Sequence, residues 1–200
     1  MKKFIIPIVV SVGLLVVLII AAIVLLVPRY NQFVNLDEAV NEELAQIETQ
    51  LERRADLIPN LVSTVQGYAD QESEIFTAVA EARTQIGNAS NVDELSDAND
   101  NMTSALSRLI ALQENYPELK SDTQFTGLRD ELAGTENRIA VARQDYNTVV
   151  AEYNRNTRTF PGNLIAGLFG FNEIDYFEAS ETSREVPEVD FNTDQDDGIE

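Results

Sequence analysis

Residues 44–86 read LAQIETQLERRADLIPNLVSTVQGYADQESEIFTAVAEARTQI, and apolar side chains return in this stretch at every seventh position. One set, with Glu72 as its polar exception, contains Leu44, Leu51, Ile58, Val65, Val79 and Ile86. A second set lies three residues later, with Arg54 as its gap, and contains Ile47, Leu61, Tyr68, Ile75 and Ala82. Because residues spaced by three and four share one face of a helix, the stretch predicts the seam of a coiled coil or helical bundle.

Pro59 interrupts this seam. Proline removes a helical hydrogen bond and pushes the residue before it out of the α region, so Ile58 marks either a kink or a helix end. The heptad phase is the same on both sides of Pro59, which favours a kink. The stretch is therefore one bent helix or two segments, and both interpretations stay open.

Turn and capping signals divide the rest of the chain. Residues 87–90 predict a turn, and Ser90 with Asp93 fits a capping box. A second helix is expected from about Asp93 to Tyr116, where Pro117 ends it.

The third helix is expected to begin at a cap formed by Ser121 or Asp122 and to reach about Thr159, where Phe-Pro-Gly at residues 160–162 ends it. Alternation with period two, the mark of a strand, is absent from this part of the sequence. The fold class is therefore all-α: an antiparallel helical bundle of three long helices, or of four segments if the first breaks at Pro59.

About 24 uncharged and mostly aliphatic residues, Phe4 to Val27, precede the bundle. A hydrocarbon core of roughly 30 Å needs about 20 helical residues, so this stretch predicts a transmembrane helix. A cleaved signal is the alternative, but its apolar region has roughly 7–15 residues, and no A-x-A-like site precedes Pro28. The absence of cysteine excludes a lipoprotein anchor. Lys2 and Lys3 precede the span, so the positive-inside rule predicts a cytoplasmic N-terminus and an external domain.

The end of the chain is strongly acidic. From Glu173 onward it holds 11 acidic residues and one arginine, and such a segment buries too little apolar surface to become ordered. The expected domains are an anchor at 1–28, a bundle at 29–177 and a disordered acidic tail at 178–200.

The composition excludes most catalytic chemistry. Without histidine or cysteine, the chain lacks a His-based triad, a thiol nucleophile and a His/Cys zinc site. Four residues of the tail alternate like the first ligands of a calcium loop, but the sixth position lacks glycine: Asp190, Asn192, Asp194 and Asp196. No catalytic residue, cofactor or metal site is therefore predicted.

Charge limits the partners. Fourteen basic residues stand against 34 acidic ones, which gives a net charge of −20. Such a surface repels nucleic acid, so nucleic acid is not an expected partner. The excess of carboxylates and the scarcity of lysine are typical of proteins adapted to high salt, where self-repulsion is screened.

Several blocks of polar and aromatic residues occur in order along the bundle. They are Glu52-Arg-Arg-Ala-Asp-Leu-Ile-Pro-Asn-Leu-Val62 with Gly67-Tyr68, Leu106–Ile110, Glu114–Lys120, Leu132–Arg138, Ala142-Arg143, Asp145-Tyr-Asn147, Tyr153-Asn154, and Phe160-Pro-Gly-Asn163 running on to Phe171. Together these blocks, spanning residues 30–177, resemble the LemA family of bacterial membrane proteins.

The resemblance implies an N-terminal membrane helix and a four-helix antiparallel bundle, with no assigned catalytic residues. Members of the family often sit beside envelope proteases, which implies a scaffold or adaptor role. Two features depart from the family pattern. Gln71 stands before Glu72 where many members carry histidine, and the acidic tail is an addition to the common core.

Charged residues near the proline form a candidate structural or partner-binding site. They are Arg53, Arg54, Asp56 and Pro59. Arg54 occupies a seam position, and a buried arginine needs a carboxylate partner. Glu136 and Asp145 on the third helix are the candidates. The site is then either an internal ion pair that fixes helix register or a surface for a polar ligand or partner.

A second candidate contact region is the uncharged segment that follows the third helix. Within residues 160–171 the large apolar side chains are Phe160, Leu164, Ile165, Leu168, Phe169 and Phe171. An exposed patch of this kind favours aggregation, so the segment is expected to dock on the bundle end or on the bilayer. Four helical segments would return it to the membrane, whereas three would leave it at the distal end.

Three functions are compatible with these features. The first is a non-enzymatic, membrane-anchored scaffold or assembly protein of the cell envelope, and the second is an accessory or adaptor subunit of an envelope protease or other membrane complex. An extracytoplasmic sensor ranks last, because three residues alone precede the span. Expected partners are the lipid bilayer and either a second copy, in a homo-oligomer, or another envelope protein. The expected location is the cell membrane, single-pass, with the bulk of the chain on the extracytoplasmic side.

Overall fold

The computed structural model describes residues 2–178, and for residues 2–11 and Ala22 it describes the backbone alone. This part of the chain is helical and contains no strand, which confirms the all-α class. Its helices are α1 (Lys2–Gln66), α2 (Ser73–Asn88), α3 (Val92–Ala111), α4 (Pro117–Ser121), α5 (Thr123–Arg158) and α6 (Gly162–Phe169), with a 3₁₀ turn at Leu112–Glu114. The predicted disorder of residues 179–200 and their calcium-like pattern lie outside the described residues.

The first helix does not end at Pro59. It runs without interruption from Lys2 to Gln66, with Pro59 exposed and its seam neighbours Ile58 and Leu61 buried. A proline inside a helix costs roughly 3 kcal/mol, and burial of two large aliphatic side chains offsets a cost of that size.

The chain reverses after Gly67 instead. The N–H groups of Tyr68 and Ala69 both donate to the carbonyl of Val65, each at 2.9 Å, and α2 begins at Ser73. The stretch therefore forms two segments, which gives four in all, but a break at Pro59 is wrong because the turn lies beyond the proline. Tyr68 is exposed because it belongs to this turn, although the heptad pattern placed it on the apolar seam.

The long helices α1 and α5 pair with each other, and α2 pairs with α3 as a shorter hairpin. With 36 residues, α5 is about 54 Å long, which matches the part of α1 that follows the apolar span. The four segments alternate in direction, so the end of α5 returns to the membrane-proximal part of α1. There the side-chain amide of Gln32 donates to Asn156 Oδ1 at 3.2 Å.

Two apolar cores are stacked along the bundle. The distal core, where all four segments meet, includes Ile58, Leu61, Val65, Val79, Met102, Leu106, Leu109, Phe125 and Leu132. The membrane-proximal core, which the hairpin of α2 and α3 meets at its loop end alone, includes Phe33, Val40, Ile47, Leu51, Leu95, Ile139, Tyr146, Val150, Tyr153, Ile165 and Phe177. In the proximal half, α6 and the non-helical residues 171–178, called here the C-terminal strap, take the place of two helices.

Helix caps agree with the sequence in one case and differ by one residue in another. Asp122 caps α5 as predicted, accepting from the N–H groups of Gln124 and Phe125 at 2.8 and 2.9 Å. At α3 the cap is Asn91 rather than Ser90: Asn91 Oδ1 accepts from the N–H of Glu94 at 2.8 Å.

The helix expected to end at Tyr116 stops earlier. In the structure α3 ends at Ala111, a 3₁₀ turn follows, and Pro117 begins α4. Proline suits the first helical turn because its missing N–H has no partner there.

Candidate functional site around the buried arginine and the membrane-proximal end

Arg54 lies where the two cores meet, and it is 4% exposed. Its Nη1 lies 2.6 Å from Glu136 Oε2, on α5. The same nitrogen donates to Asn99 Oδ1 at 3.2 Å and to Thr103 Oγ1 at 3.1 Å, both on α3. Since these two bonds use both of its hydrogens, Glu136 contributes its charge rather than an aligned hydrogen bond. Arg54 thereby ties α1, α3 and α5 together at one level.

In this cluster the cost of burying the guanidinium exceeds what the charge of Glu136 returns. Burial lowers the pKa of the Arg54 guanidinium, and the charge of Glu136 opposes that shift. The Nε of Arg54 has no hydrogen-bond partner among the described residues. Glu136 keeps 43% of its side chain exposed, although Oε2, the oxygen that faces Arg54, is buried. The geometry fits an ion pair that fixes helix register.

The other predicted charged residues lie on the surface. Arg53 is 3.7 Å from Glu131, and both side chains are about half exposed. Asp56 lines an open groove of about 520 Å³ bordered by Glu52 and Arg83. Asp145 is exposed on α5 and does not pair with Arg54. These residues do not converge on Arg54.

The part of the chain that the structure describes shows no arrangement of side chains typical of a catalytic or metal-binding site. No group of three or more Asp or Glu side chains is arranged there to hold a metal ion. The groove beside Asp56 mixes acidic side chains with Leu51 and Ile86 and lies open to solvent. It has the shape of a contact surface rather than of a closed active site.

The predicted contact residues of the segment after α5 divide between two environments. One face of α6 packs on the bundle, where Gly162, Ile165 and Ala166 are buried. Gly162 is needed for this approach, because a Cβ at its position would lie 2.2 Å from the carbonyl oxygen of Asn156. The other face is exposed and contains Leu164 (63% exposed) and Leu168 (69%); Phe160, before the helix, is 80% exposed, and Phe169, at its end, is 50% exposed.

Aromatic rings join α6 and the strap to the base of α1. Phe33 and Phe171 stack with ring centroids 4.9 Å apart, and Phe33 meets Tyr153 edge-on at 6.1 Å. Tyr30 contacts Phe169 at 4.9 Å and Phe171 at 5.8 Å. These rings sit directly after the apolar span, so the bundle is fastened at its membrane end.

Two asparagines of α5 hold the backbone of the C-terminal strap. Asn154 accepts from the N–H of Ile174 at 2.9 Å and donates to the carbonyl of the same residue at 2.8 Å. Asn147, two helical turns earlier, does the same to Phe177 at 2.8 and 2.9 Å. The amide of each asparagine thus satisfies both the N–H and the carbonyl of one residue of the strap.

Side chains secure the last described residues. The Tyr146 hydroxyl donates to the carbonyl of Asp175 at 3.0 Å, and Ser96 donates to that of Glu178 at 2.9 Å. Arg143 lies 4.6 Å above the ring of Phe177, which is 2% exposed. Burial, followed by the charge of Asp175, raises the pKa of Tyr146 to about 12.

The expectation that disorder begins at Glu173 is therefore wrong for residues 173–178. The prediction of disorder rested on the acidic composition and did not consider Ile174 and Phe177. Both of these side chains pack in the membrane-proximal core with residues of α5. Arg158 forms an ion pair with Glu173, and its hydrogen bond lowers the pKa of that carboxyl.

The sequence is similar to those of several known proteins. The sequence profile of the LemA family matches residues 43–191. Magnetosome protein MamQ 2 of Paramagnetospirillum magneticum is 28% identical over 80% of this chain and 68% of its own length. Magnetosome protein MamQ of Magnetospirillum gryphiswaldense is 26% identical over 92% and 78%. Protein LemA of Metamycoplasma hominis is 24% identical over 79% and 73%.

Proposed function

Because this chain belongs to the LemA family of membrane-associated proteins, we propose that it is a non-enzymatic scaffold that displays a helical bundle on a membrane of the cell envelope. One observation carries the proposal. The helix that contains the apolar span continues without a break into the bundle, as α1 from Lys2 to Gln66. Because no flexible linker separates the span from the bundle, this helix fixes the position and orientation of the bundle relative to the membrane.

The apolar part of α1 supports the membrane attachment. The described part of the chain contains one helix long and apolar enough to cross a membrane, and it is α1. Its described side chains between Val12 and Val27 are exposed, so no part of the bundle covers them. Lipid is the environment in which such a surface is stable.

A scaffold of this kind acts by assembly, and a second copy of the chain is its proposed partner. The test uses two copies of the full chain with different affinity tags, co-expressed and cross-linked in native membranes before solubilisation. Capture of one tag is expected to recover the other. The matched control replaces the bundle of one copy with an unrelated soluble domain while residues 1–28 are kept.

Two results would count against the scaffold. Recovery of a stoichiometric protease without the second tag would make the chain an adaptor of a protease complex. Recovery of neither partner would remove the assembly role.

We also propose that the N-terminus is cytoplasmic and that the bundle lies on the extracytoplasmic side of a single span. The support is the pair Lys2 and Lys3 before the span, against the acidic chain beyond it. Protease added to intact spheroplasts is expected to degrade the bundle. Full protection, with degradation after lysis, would reverse the orientation.

A further inference from the structure

We propose that the exposed face of α6 lies in the interface of the same bilayer that α1 spans, so that the bundle meets the membrane at two points. The face consists of Leu164 and Leu168, and it is flanked by Phe160, which precedes the helix, and by the half-exposed Phe169 at its end. The inference rests on the proposed membrane anchoring by α1, and its occupant is lipid. It requires no partner protein.

The position of α6 along α1 is the first argument for this proposal. Tyr30, which contacts Phe169 of α6, lies about 4.5 Å beyond Val27 at 1.5 Å per residue. The headgroup layer on each side of a bilayer is about 5–7 Å thick. The contacts of α6 therefore fall at the depth where interfacial helices lie.

The difference in exposure between the two faces of α6 is the second argument. Ile165 and Ala166 are 2% and 4% exposed, whereas Leu168 and Leu164 are more than half exposed. The exposed residues are large and apolar, and no residue from 160 to 171 is charged. Packing on the bundle therefore accounts for one side of the helix and leaves an apolar side uncovered.

Continuity identifies lipid as what covers the exposed face. The exposed apolar surface of α1 extends to Val27, and Tyr30 joins it to Phe169 through a ring contact of 4.9 Å. Tyrosine is enriched at the boundary between membrane and water. A helix beside this junction reaches the bilayer without any rearrangement of the bundle.

The chemistry of the face also defines the lipid. Because α6 is uncharged and the chain as a whole carries −20, anionic headgroups offer it no attraction. Insertion is driven by apolar burial, so zwitterionic phosphatidylcholine suffices, and the contact is insensitive to salt.

The sequence permits a clean measurement, because the chain contains no tryptophan. The full chain with Leu168→Trp is reconstituted in phosphatidylcholine vesicles, with and without bromine on the upper acyl chain. The matched control is Val141→Trp, another exposed aliphatic position (59% exposed), on α5 far from α6. Circular dichroism of each variant checks the fold, and Leu164→Trp on the same face replaces Leu168→Trp if that variant does not fold.

The expected result is a blue-shifted emission for Leu168→Trp, with loss of intensity in brominated vesicles and protection from aqueous iodide. Val141→Trp is expected to show the reverse. Equal access to iodide for both indoles would overturn the proposal. Protection without quenching by bromine would also overturn it, because a second copy of the chain would then cover the face.

Discussion

At the scale of single residues, Arg54 and Glu136 form an ion pair whose two side chains differ in burial. Arg54 is buried, whereas Glu136 keeps 43% of its side chain in solvent. Removing one partner of a buried pair leaves the other charge uncompensated, at a cost of roughly 3–5 kcal/mol for a fully buried pair. The cost here depends on which partner remains.

The first prediction follows from this inequality. Glu136→Gln leaves the guanidinium buried without a counter-charge and is expected to lower the free energy of unfolding by about 2–3 kcal/mol. Arg54→Met leaves Glu136, the more exposed partner, and is therefore expected to cost less. Urea titration of the full chain in detergent, followed by circular dichroism, measures both.

Arg53→Met serves as the control for these two variants, because its exposed pair with Glu131 is expected to contribute less than about 1 kcal/mol. A larger loss for Arg54→Met than for Glu136→Gln would mean that the hydrogen bonds to Asn99 and Thr103 matter more than the charge balance.

The second prediction concerns Tyr146 at alkaline pH. Its pKa is raised to about 12 in the folded chain, above the usual value of about 10. The neutral phenol therefore stabilises the fold fully below pH 10, and this contribution is lost as the pH rises from about 10 to 12. Tyr146→Phe removes the titration and the hydrogen bond to Asp175, so it is expected to cost about 1 kcal/mol at neutral pH.

The measurement is the free energy of unfolding of wild type and Tyr146→Phe at pH 8 to 12 (about one unit per step). The gap between them is expected to close above pH 10. A gap that stays constant up to pH 12 would show that Tyr146 ionises in the folded and unfolded chain alike.

At the scale of elements, the C-terminal strap completes the proximal core in place of a helix. Phe177 and Ile174 cover α5, and two asparagines satisfy the strap's backbone. Burying a phenylalanine contributes roughly 1.5–3 kcal/mol. That is enough to order a short segment whose backbone hydrogen bonds are also made.

The third prediction compares two shortened chains. A chain that ends at Glu178 is expected to melt like the full chain at about 1 M NaCl, where charge repulsion is screened, because it loses acidic residues with little apolar surface to bury. A chain that ends at Gly170 loses Ile174 and Phe177 and is expected to be less stable by about 3 kcal/mol or more. Thermal melting in detergent micelles measures both.

Asn154→Ala supplies a finer test, since it removes two hydrogen bonds without shortening the chain. It is expected to increase hydrogen exchange at Ile174 and to leave α2 and α3 unaffected. Equal melting of the two shortened chains would show that the strap adds nothing to stability.

At the scale of the whole molecule, charge repulsion sets the response to salt. The chain carries −20, and the described residues contain few ion pairs to offset it. The fourth prediction is that the melting temperature rises from about 0.1 M to about 1 M NaCl, because the screening length falls from about 10 Å to about 3 Å.

Sucrose at matched osmolality is the control for effects that do not depend on charge. The chain that ends at Glu178 lacks much of the acidic tail and is expected to respond less to salt. A melting temperature that stays flat in NaCl would remove the interpretation of the composition as an adaptation to high salt.

The sequence by itself determined the class of the fold and the position of its apolar span. Heptad spacing from Leu44 onward depends on local helical geometry, and so does the cap at Asp122. The length of the apolar span depends on the thickness of a bilayer. These features are local, so they can be read without knowing what packs against them.

Tertiary structure decided where the first long stretch turns, what Arg54 meets, and how far order extends. Pro59 remains inside α1 because burial of Ile58 and Leu61 offsets its cost, and the turn falls at Gly67. Glu136 rather than Asp145 faces Arg54, and the strap is ordered although its composition is acidic. In each case a local free-energy penalty is offset by burial against a segment that is distant in sequence. That burial exists only in the assembled bundle, so the sequence alone does not reveal it.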